Sequence, residues 1–354
     1  MRFPRLAFQK RLTISRALTI TVPIASLVLG FLSAAPLFFA VGVNPTLAYQ
    51  QVLGVFTSAD GLTESLTRGI PLLLASVGLC LPFKMNFWNI GAEGQLFMGA
   101  FAATGIVFLL PDSPAFVLLG SMMIAGFVFG GLWGLIPGYL KARLEVNEVL
   151  TTLMLNSVAI LWVDYLVYGP WRDPEGFGFP LTPMFPLNAR LPWIPGTRIH
   201  AGLLVGLICA VIVYIFLARS KWGYELKVTG ESRLAAKYAG IDYLRLTLLV
   251  MLISGGLAGL AGMGLVSGIV LRLRHGISPG YGYSAIIIAW LARLNPLAAV
   301  PVSILFGGLL VAGDALQIGL GLAFATALVF QALILLFVVG AEVLTRYKLI
   351  LTWG

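Results

Sequence analysis

Long apolar runs, separated by short basic or glycine-rich breaks, make up most of the chain. They lie at about 18–41, 69–85, 92–110, 115–140, 148–169, 201–218, 244–266, 283–293, 297–317 and 323–343. Most are long enough to cross about 30 Å of hydrocarbon. The residue-by-residue alternation of a membrane barrel is absent, and lipid obliges each span to satisfy its own backbone hydrogen bonds. The pattern predicts an all-α polytopic transmembrane bundle of about ten spans, filling residues 1–354 as a single domain. The first run could pass for a signal sequence ending at Ser33-Ala34-Ala35, but it continues through PLFFAVGV and reads as an uncleaved span.

Composition agrees. The chain is 59% hydrophobic and 10% charged, with mean hydropathy +0.96, where a soluble domain is about 45–50% apolar and about 25% charged. Its net charge of +9 follows from basic residues collecting at one membrane face, so lipid and not nucleic acid is the expected contact. Arg2, Arg5, Lys10, Arg11 and Arg16 precede the first span. Lys141 and Arg143 lie between two others, six cations fall between Arg219 and Arg245, and Arg346 and Lys348 close the chain. With ten spans these groups share one side, predicted to be cytoplasmic. Both termini and the loop 219–243 then lie inside, with residues 1–17 as a basic tail, and segment 170–200 lies outside. Arg272 and Arg274 fall on the outer side against the trend.

Two stretches interrupt the helical pattern in a similar way. NIGAEGQ (89–95) precedes one apolar run, and GISPGYGY (276–283) precedes another that is too short to cross comfortably. Discontinuous helices at matching places in two halves point to an internal repeat with a solute path at its interface. Asn89, Glu93 and Gln95 therefore have two open readings. Asn89 can cap the next helix, with Glu93 in its first turn and Lys84 as its partner; or the broken end exposes these groups to a pathway. Glu148, Thr152 and Asn156, four apart, form one polar stripe that faces either a cavity or a neighbouring helix.

Span 115–140 carries Gly126, Gly130, Gly134 and Gly138, and span 244–266 repeats the device with Ser254, Ala258 and Gly262. Such small-residue stripes predict close helix packing. In the loop 219–243, Ser232 is placed to cap a short helix containing Leu234, Ala235, Ala236 and Tyr238, with Gly240 to end it. No enzyme site is legible: none of the seven lysines follows a glycine, so no phosphate-binding loop exists. Cys80 and Cys209 lie in apolar runs, and His200 and His275 have no metal-ligand spacing.

NIGAEGQ, NEVLTTLMLN (147–156) and the loop TGESRLAAKYAG (229–240), in this order, resemble the permeases of bacterial ABC importers for simple sugars and nucleosides. SPGYGY and the WLARLNPL step place the chain nearer the nucleoside-type branch, with Ala292 where glycine is expected and Glu231 where asparagine is commoner. The resemblance covers roughly residues 65 to 340. It implies a non-catalytic permease in the bacterial inner membrane, working with a separate subunit that binds ATP and Mg, so that no cofactor belongs to this chain. A second permease, often a different chain, and an extracytoplasmic solute-binding protein are the other implied partners. Gly230, Glu231, Ser232, Ala235, Ala236, Tyr238 and Gly240 would form the coupling segment that docks on the ATPase. Asn89, Glu93, Gln95, Glu148, Thr152 and Asn156 would line or brace the path of a nucleoside, or of a simple sugar as the alternative. An ion-driven secondary transporter is the competing class, with Glu93 and Glu148 as relays.

Overall fold

The computed structural model describes residues 4–10 and 16–353; Arg2 and Arg11, counted above in the basic tail, lie outside them. Helices dominate: α1 (Arg16–Ser33), α2 (Ala35–Ala40), α3 (Pro45–Thr57), α4 (Ala59–Lys84), α5 (Ala92–Leu109), α6 (Ala115–Leu144) and α7 (Glu148–Tyr168). There follow α8 (Gly202–Arg219), α9 (Lys221–Glu231), α10 (Arg233–Tyr238), α11 (Tyr243–Gly264), α12 (Tyr281–Leu291), α13 (Pro296–Leu320) and α14 (Phe324–Arg346). A π-helical turn, Leu265–Ile269, extends α11. Outside the helices, β1 (Pro4–Lys10) pairs antiparallel with β2 (Tyr347–Trp353), Leu6 opposite Leu351 and Phe8 opposite Leu349. The period-two pattern of YKLILTW is the sequence trace of that ribbon.

Among the described residues, seven helices are long and apolar enough to cross a membrane: α4, α5, α6, α7, α8, α11 with its extension, and α13. The other three predicted spans fall short of that standard among the described residues. Run 18–41 divides at Ala34 into α1 and α2. The 11 residues of α12 reach only about 16 Å, and the apolar part of α14 is also short. Helix α4 begins ten residues before the expected 69, its polar first turns stabilised by an i,i+4 ion pair of Glu64 and Arg68 at 3.3 Å.

The chain divides into two compact units, residues 1–61 with 309–354, and residues 62–308. In the first, α1 lies against α14 closely enough that a Cβ on Gly30 would stand 2.9 Å from Ile334 Cα. Phe31, Phe38, Tyr49 and Phe330 form an aromatic cluster with centroid separations of 4.5–6.0 Å. Helix α3 went unread in the sequence, although Asn44 caps it through Thr46 N (3.0 Å) and Pro45 opens it.

In the second unit α11 is the central post. Lipid gives helices no hydrophobic reason to associate, so contact depends on how near their backbones can come. A Cβ on Gly259 would stand 2.0 Å from Gly126 O, and one on Gly130 2.4 Å from Gly255 O. On Gly262 it would lie 1.9 Å from Leu96 O, and on Gly99 2.2 Å from Gly259 O. Three helices, α5, α6 and α11, thus meet main chain to main chain. The glycines of α6 are the predicted stripe; on α11 the face toward α6 is offset by one position, to Gly255 and Gly259. That offset leaves Ser254 turned toward the NIGAEGQ break.

Candidate functional site

Helix α4 stops at Lys84, Asn86 turns the chain with φ of 55°, and residues 85–91 run without helix until α5 begins at Ala92. A non-helical stretch inside a bundle must find partners for every N–H and C=O. Helix α7 supplies them. Thr152 Oγ1 accepts from Ile90 N (3.3 Å), Asn156 Nδ2 donates to Ile90 O (2.9 Å), and Asn156 Oδ1 accepts from Gly94 N (2.8 Å). Asn89 and Gln95 exchange two amide hydrogen bonds at 3.2 Å, and Asn89 also donates to Ser254 Oγ (3.3 Å) and accepts from Gly91 N (3.0 Å). Ser254 lies eleven residues along α11, about 16 Å of helix, or roughly half of a 30 Å hydrocarbon layer.

Glu93 joins this knot to the second break. Its Oε2 accepts from Gly282 N at 2.6 Å, while Ser278 Oγ takes Gly280 N (3.2 Å) and Tyr281 N (2.9 Å) at the same helix start. It does not pair with Lys84. A Cβ on Gly282 would lie 2.2 Å from Glu93 N, so the first turns of α5 and α12 touch directly. Two helix N-termini carry like partial charges and repel; a carboxyl group between them offers an acceptor to Gly282 N, a donor that the first turn of α12 leaves free. Asn89, Glu93, Gln95, Thr152 and Asn156 come together here, none more than 2% exposed. Glu148 does not join them: its carboxylate takes Lys141 Nζ at 2.8 Å, seven residues back in sequence. Tyr283, which sequence reasoning missed, accepts from Asn156 Nδ2 at 3.2 Å through its hydroxyl oxygen and leaves 40% of its surface open. Its place in SPGYGY was the available signal.

The loop 219–243 folds as two helices. Ser232 Oγ accepts from Ala235 N (3.2 Å) and caps α10. At the other end Gly240 N reaches Lys237 O and Ile241 N reaches Ala236 O, with Gly240 left-handed at φ 74°. That is a Schellman termination, which needs a residue without Cβ strain. Leu234 and Tyr238 stand 64% and 86% exposed, while Arg233 pairs with Glu145 (3.2 Å) and lies over the Tyr243 ring (4.3 Å). Upstream, Gly230 packs on the last turn of α4, where a Cβ would meet Lys84 O at 2.2 Å, and Asn86 Nδ2 donates to Gly230 O. The residue that requires glycine for space is thus Gly230; Gly240, whose Cβ would meet nothing within 4 Å, requires it for φ.

At the far end of α11, segment 170–200 is sewn to residues 265–275 through Thr182 N to Leu273 O, Phe185 N to Leu271 O and Leu191 N to Ser267 O. His275 Nδ1 meets Asp164 Oδ1 at 2.7 Å. His200 lies inside this seam, against Gly264 at the end of α11 and Gly268 of the π turn; its Nδ1 accepts from Gly202 N (3.2 Å) and its Nε2 has no partner among the described residues. Burial pushes its pKa down from 6.5 to about 4. The neutral ring is the folded form, so its contribution to stability is complete above pH 6.5 and is lost as pH falls from 6.5 toward 4. A thermal melt of the purified protein should therefore fall across that window by up to about 3 kcal/mol, and His200→Asn should flatten the slope. An unchanged slope in that variant would remove His200 as its source.

The permease family described as the branched-chain amino acid transport system / permease component matches residues 61–339. A glucose ABC transporter permease of Haloferax volcanii is 34% identical over 97% of this chain and 93% of its own. A guanosine ABC transporter permease of Bacillus subtilis is 30% identical over 93% and 95%, and a nucleoside ABC transporter permease of Lactococcus lactis 29% over 81% and 82%. The chain belongs to this family of ABC transporter permeases. It is a multi-pass, non-catalytic transport subunit, and ATP hydrolysis lies in separate subunits. The family implies an ATPase partner that binds the nucleotide and Mg, a second permease and a solute-binding protein. The ion-driven alternative falls with this result.

Proposed function

We propose that this permease imports a nucleoside across a bacterial inner membrane, with both termini cytoplasmic, α10 docked on the ATPase, and a different chain as second permease. The ten-span reading is kept, with α12 as a half-span entering from outside. The observation that carries the mechanism is the direct connection from the loop to the break. Gly230 and Asn86 tie the end of α9 to the end of α4, and five residues later the chain enters the polar knot at Asn89. Motion imposed on α10 is thereby delivered to the junction of α5 and α12. In this reading Asn89, Gln95, Thr152 and Asn156 brace the path, Glu93 locks the two half-helices together, and the open side of Tyr283 faces the solute. An aromatic ring with a hydroxyl suits a nucleobase by stacking and a ribose by hydrogen bonding.

The relatives' cargo favours nucleosides in two cases, whereas the Haloferax relative, with the greater identity, is a glucose permease; simple sugars are therefore the second reading. Uptake of labelled adenosine into vesicles carrying the complete transporter, competed with nucleosides, bases and sugars, decides between them. Competition by nucleosides alone is expected; transport or competition by sugars alone overturns the cargo and leaves the permease. In the same assay Gly240→Trp should insert normally yet support no uptake. Full uptake by that variant would contradict docking through α10.

A further inference from the structure

We infer that the chain holds a built site for a phosphate-bearing anion, the headgroup of an anionic phospholipid, at the end of the bundle that carries α9. A cavity of about 390 Å³ opens there among Lys84, Lys227 and Arg293, walled by Tyr214, Leu217 and Leu294. That volume falls within the roughly 300–1,000 Å³ of small-molecule sites. Other cations of the same loops divide: Lys141 pairs with Glu148, Lys221 with Glu225, Arg233 with Glu145 and Arg245 with Asp242, all within 3.5 Å, while Arg143, Arg219 and Lys237 pair with no carboxylate among the described residues and do not line the cavity. Lys84, Lys227 and Arg293 have no acidic partner among the described residues, and no carboxylate lines the cavity. Collection of basic residues at one membrane face explains their side of the membrane. It does not explain why three of them converge on one hollow without an anion.

Position selects the source of the anion. Helices α4, α8 and α12 end around this cavity at Lys84, Arg219 and Leu291, and α13 begins beside it at Pro296. Membrane helices end at headgroup depth, where basic pockets between them take lipid phosphates. The wall from α8 continues upward as an exposed apolar strip, Leu204, Leu207, Ile208, Val211 and Ile215, along which acyl chains can lie. Tyr214 has the position of an interfacial tyrosine. The inference is independent of which solute the transporter carries.

The test is native mass spectrometry of the purified full chain in neutral detergent, with phosphatidylglycerol, phosphatidylcholine or inorganic phosphate added separately. One phosphatidylglycerol per chain should be retained in preference to phosphatidylcholine. The exposed-cation variant K227Q/R293Q should bind it about thirtyfold more weakly, about fivefold per charge, while the paired-cation variant K221Q/R245Q should bind it normally. Occupancy by inorganic phosphate with no lipid preference, lost in K227Q/R293Q, would keep the anion site and overturn the lipid as its source. Equal retention of both lipids without phosphate binding, or equal losses in the two variants, would overturn the site.

Discussion

Replacing Glu93 by alanine should lower the stability of the folded permease by about 2–3 kcal/mol and abolish uptake. The expectation rests on what the carboxyl group leaves behind. Gly282 N donates to it at 2.6 Å in a place closed to water, and a buried donor deprived of its only acceptor costs about 1–3 kcal/mol. The contact between the first turns of α5 and α12 adds to this, because like ends of two helix dipoles are then pressed together with nothing between them. Glutamine retains one acceptor oxygen for Gly282 N but replaces the other with an amide N–H2 group, so Glu93→Gln should lose about half as much. Aspartate keeps the chemistry and withdraws it by one methylene, which opens the 2.6 Å contact; it should resemble alanine. Melting of the detergent-solubilised chain should rank wild type above Gln, and Gln above Asp and Ala. A ranking in which Asp matches wild type would mean that charge alone, and not reach to Gly282, is what the site needs. Alanine melting like wild type would show that the bridge contributes nothing.

That bridge marks the boundary of what the sequence could disclose. The break itself was legible, because glycines beside amides in an apolar run have few other meanings. Ser232 and Gly240 were legible too, since caps obey local rules acting over three or four residues. Glu93, by contrast, is bonded to a residue 189 positions away, and no local pattern records such a partner. Both readings of Glu93 were open in the sequence, and its partner in one of them was guessed as the nearby Lys84. Glu148 shows the converse: it opens a four-residue polar periodicity, yet Lys141 claims it across a turn that the periodicity does not see. On α11 the predicted stripe does meet other helices closely, Gly262 against Leu96 of α5 and Ser254 against Gly78 of α4, yet Gly255 and Gly259 beside it are equally small. Composition cannot say which of two adjacent small faces meets α6.

Both faces are closed to added bulk, and Gly259→Ala should have one of the largest effects of any single methyl group added to this chain. The new Cβ would meet Gly126 O at 2.0 Å and Gly130 Cα at 3.0 Å, both main-chain atoms that cannot rotate away. Helix α6 must then shift off α11, and α5 with it, since Gly99 lies against the same residue with a Cβ distance of 2.2 Å to Gly259 O. Overpacking in a core typically costs 1–3 kcal/mol when side chains absorb it; here none can, so more than about 3 kcal/mol is expected. The effect should also spread, because separating α5 from α11 stretches the Asn89–Ser254 contact at mid-depth. Gly54→Ala is the matched control: the same methyl on a helix, with nothing within 4 Å, should leave stability equal or slightly raised through helix propensity. Size-exclusion profiles of detergent extracts should show the Gly259 variant aggregated or absent beside a normal Gly54 variant. If the two behave alike, α5, α6 and α11 do not meet through their main chains, and the polar knot they hold at mid-depth needs another support.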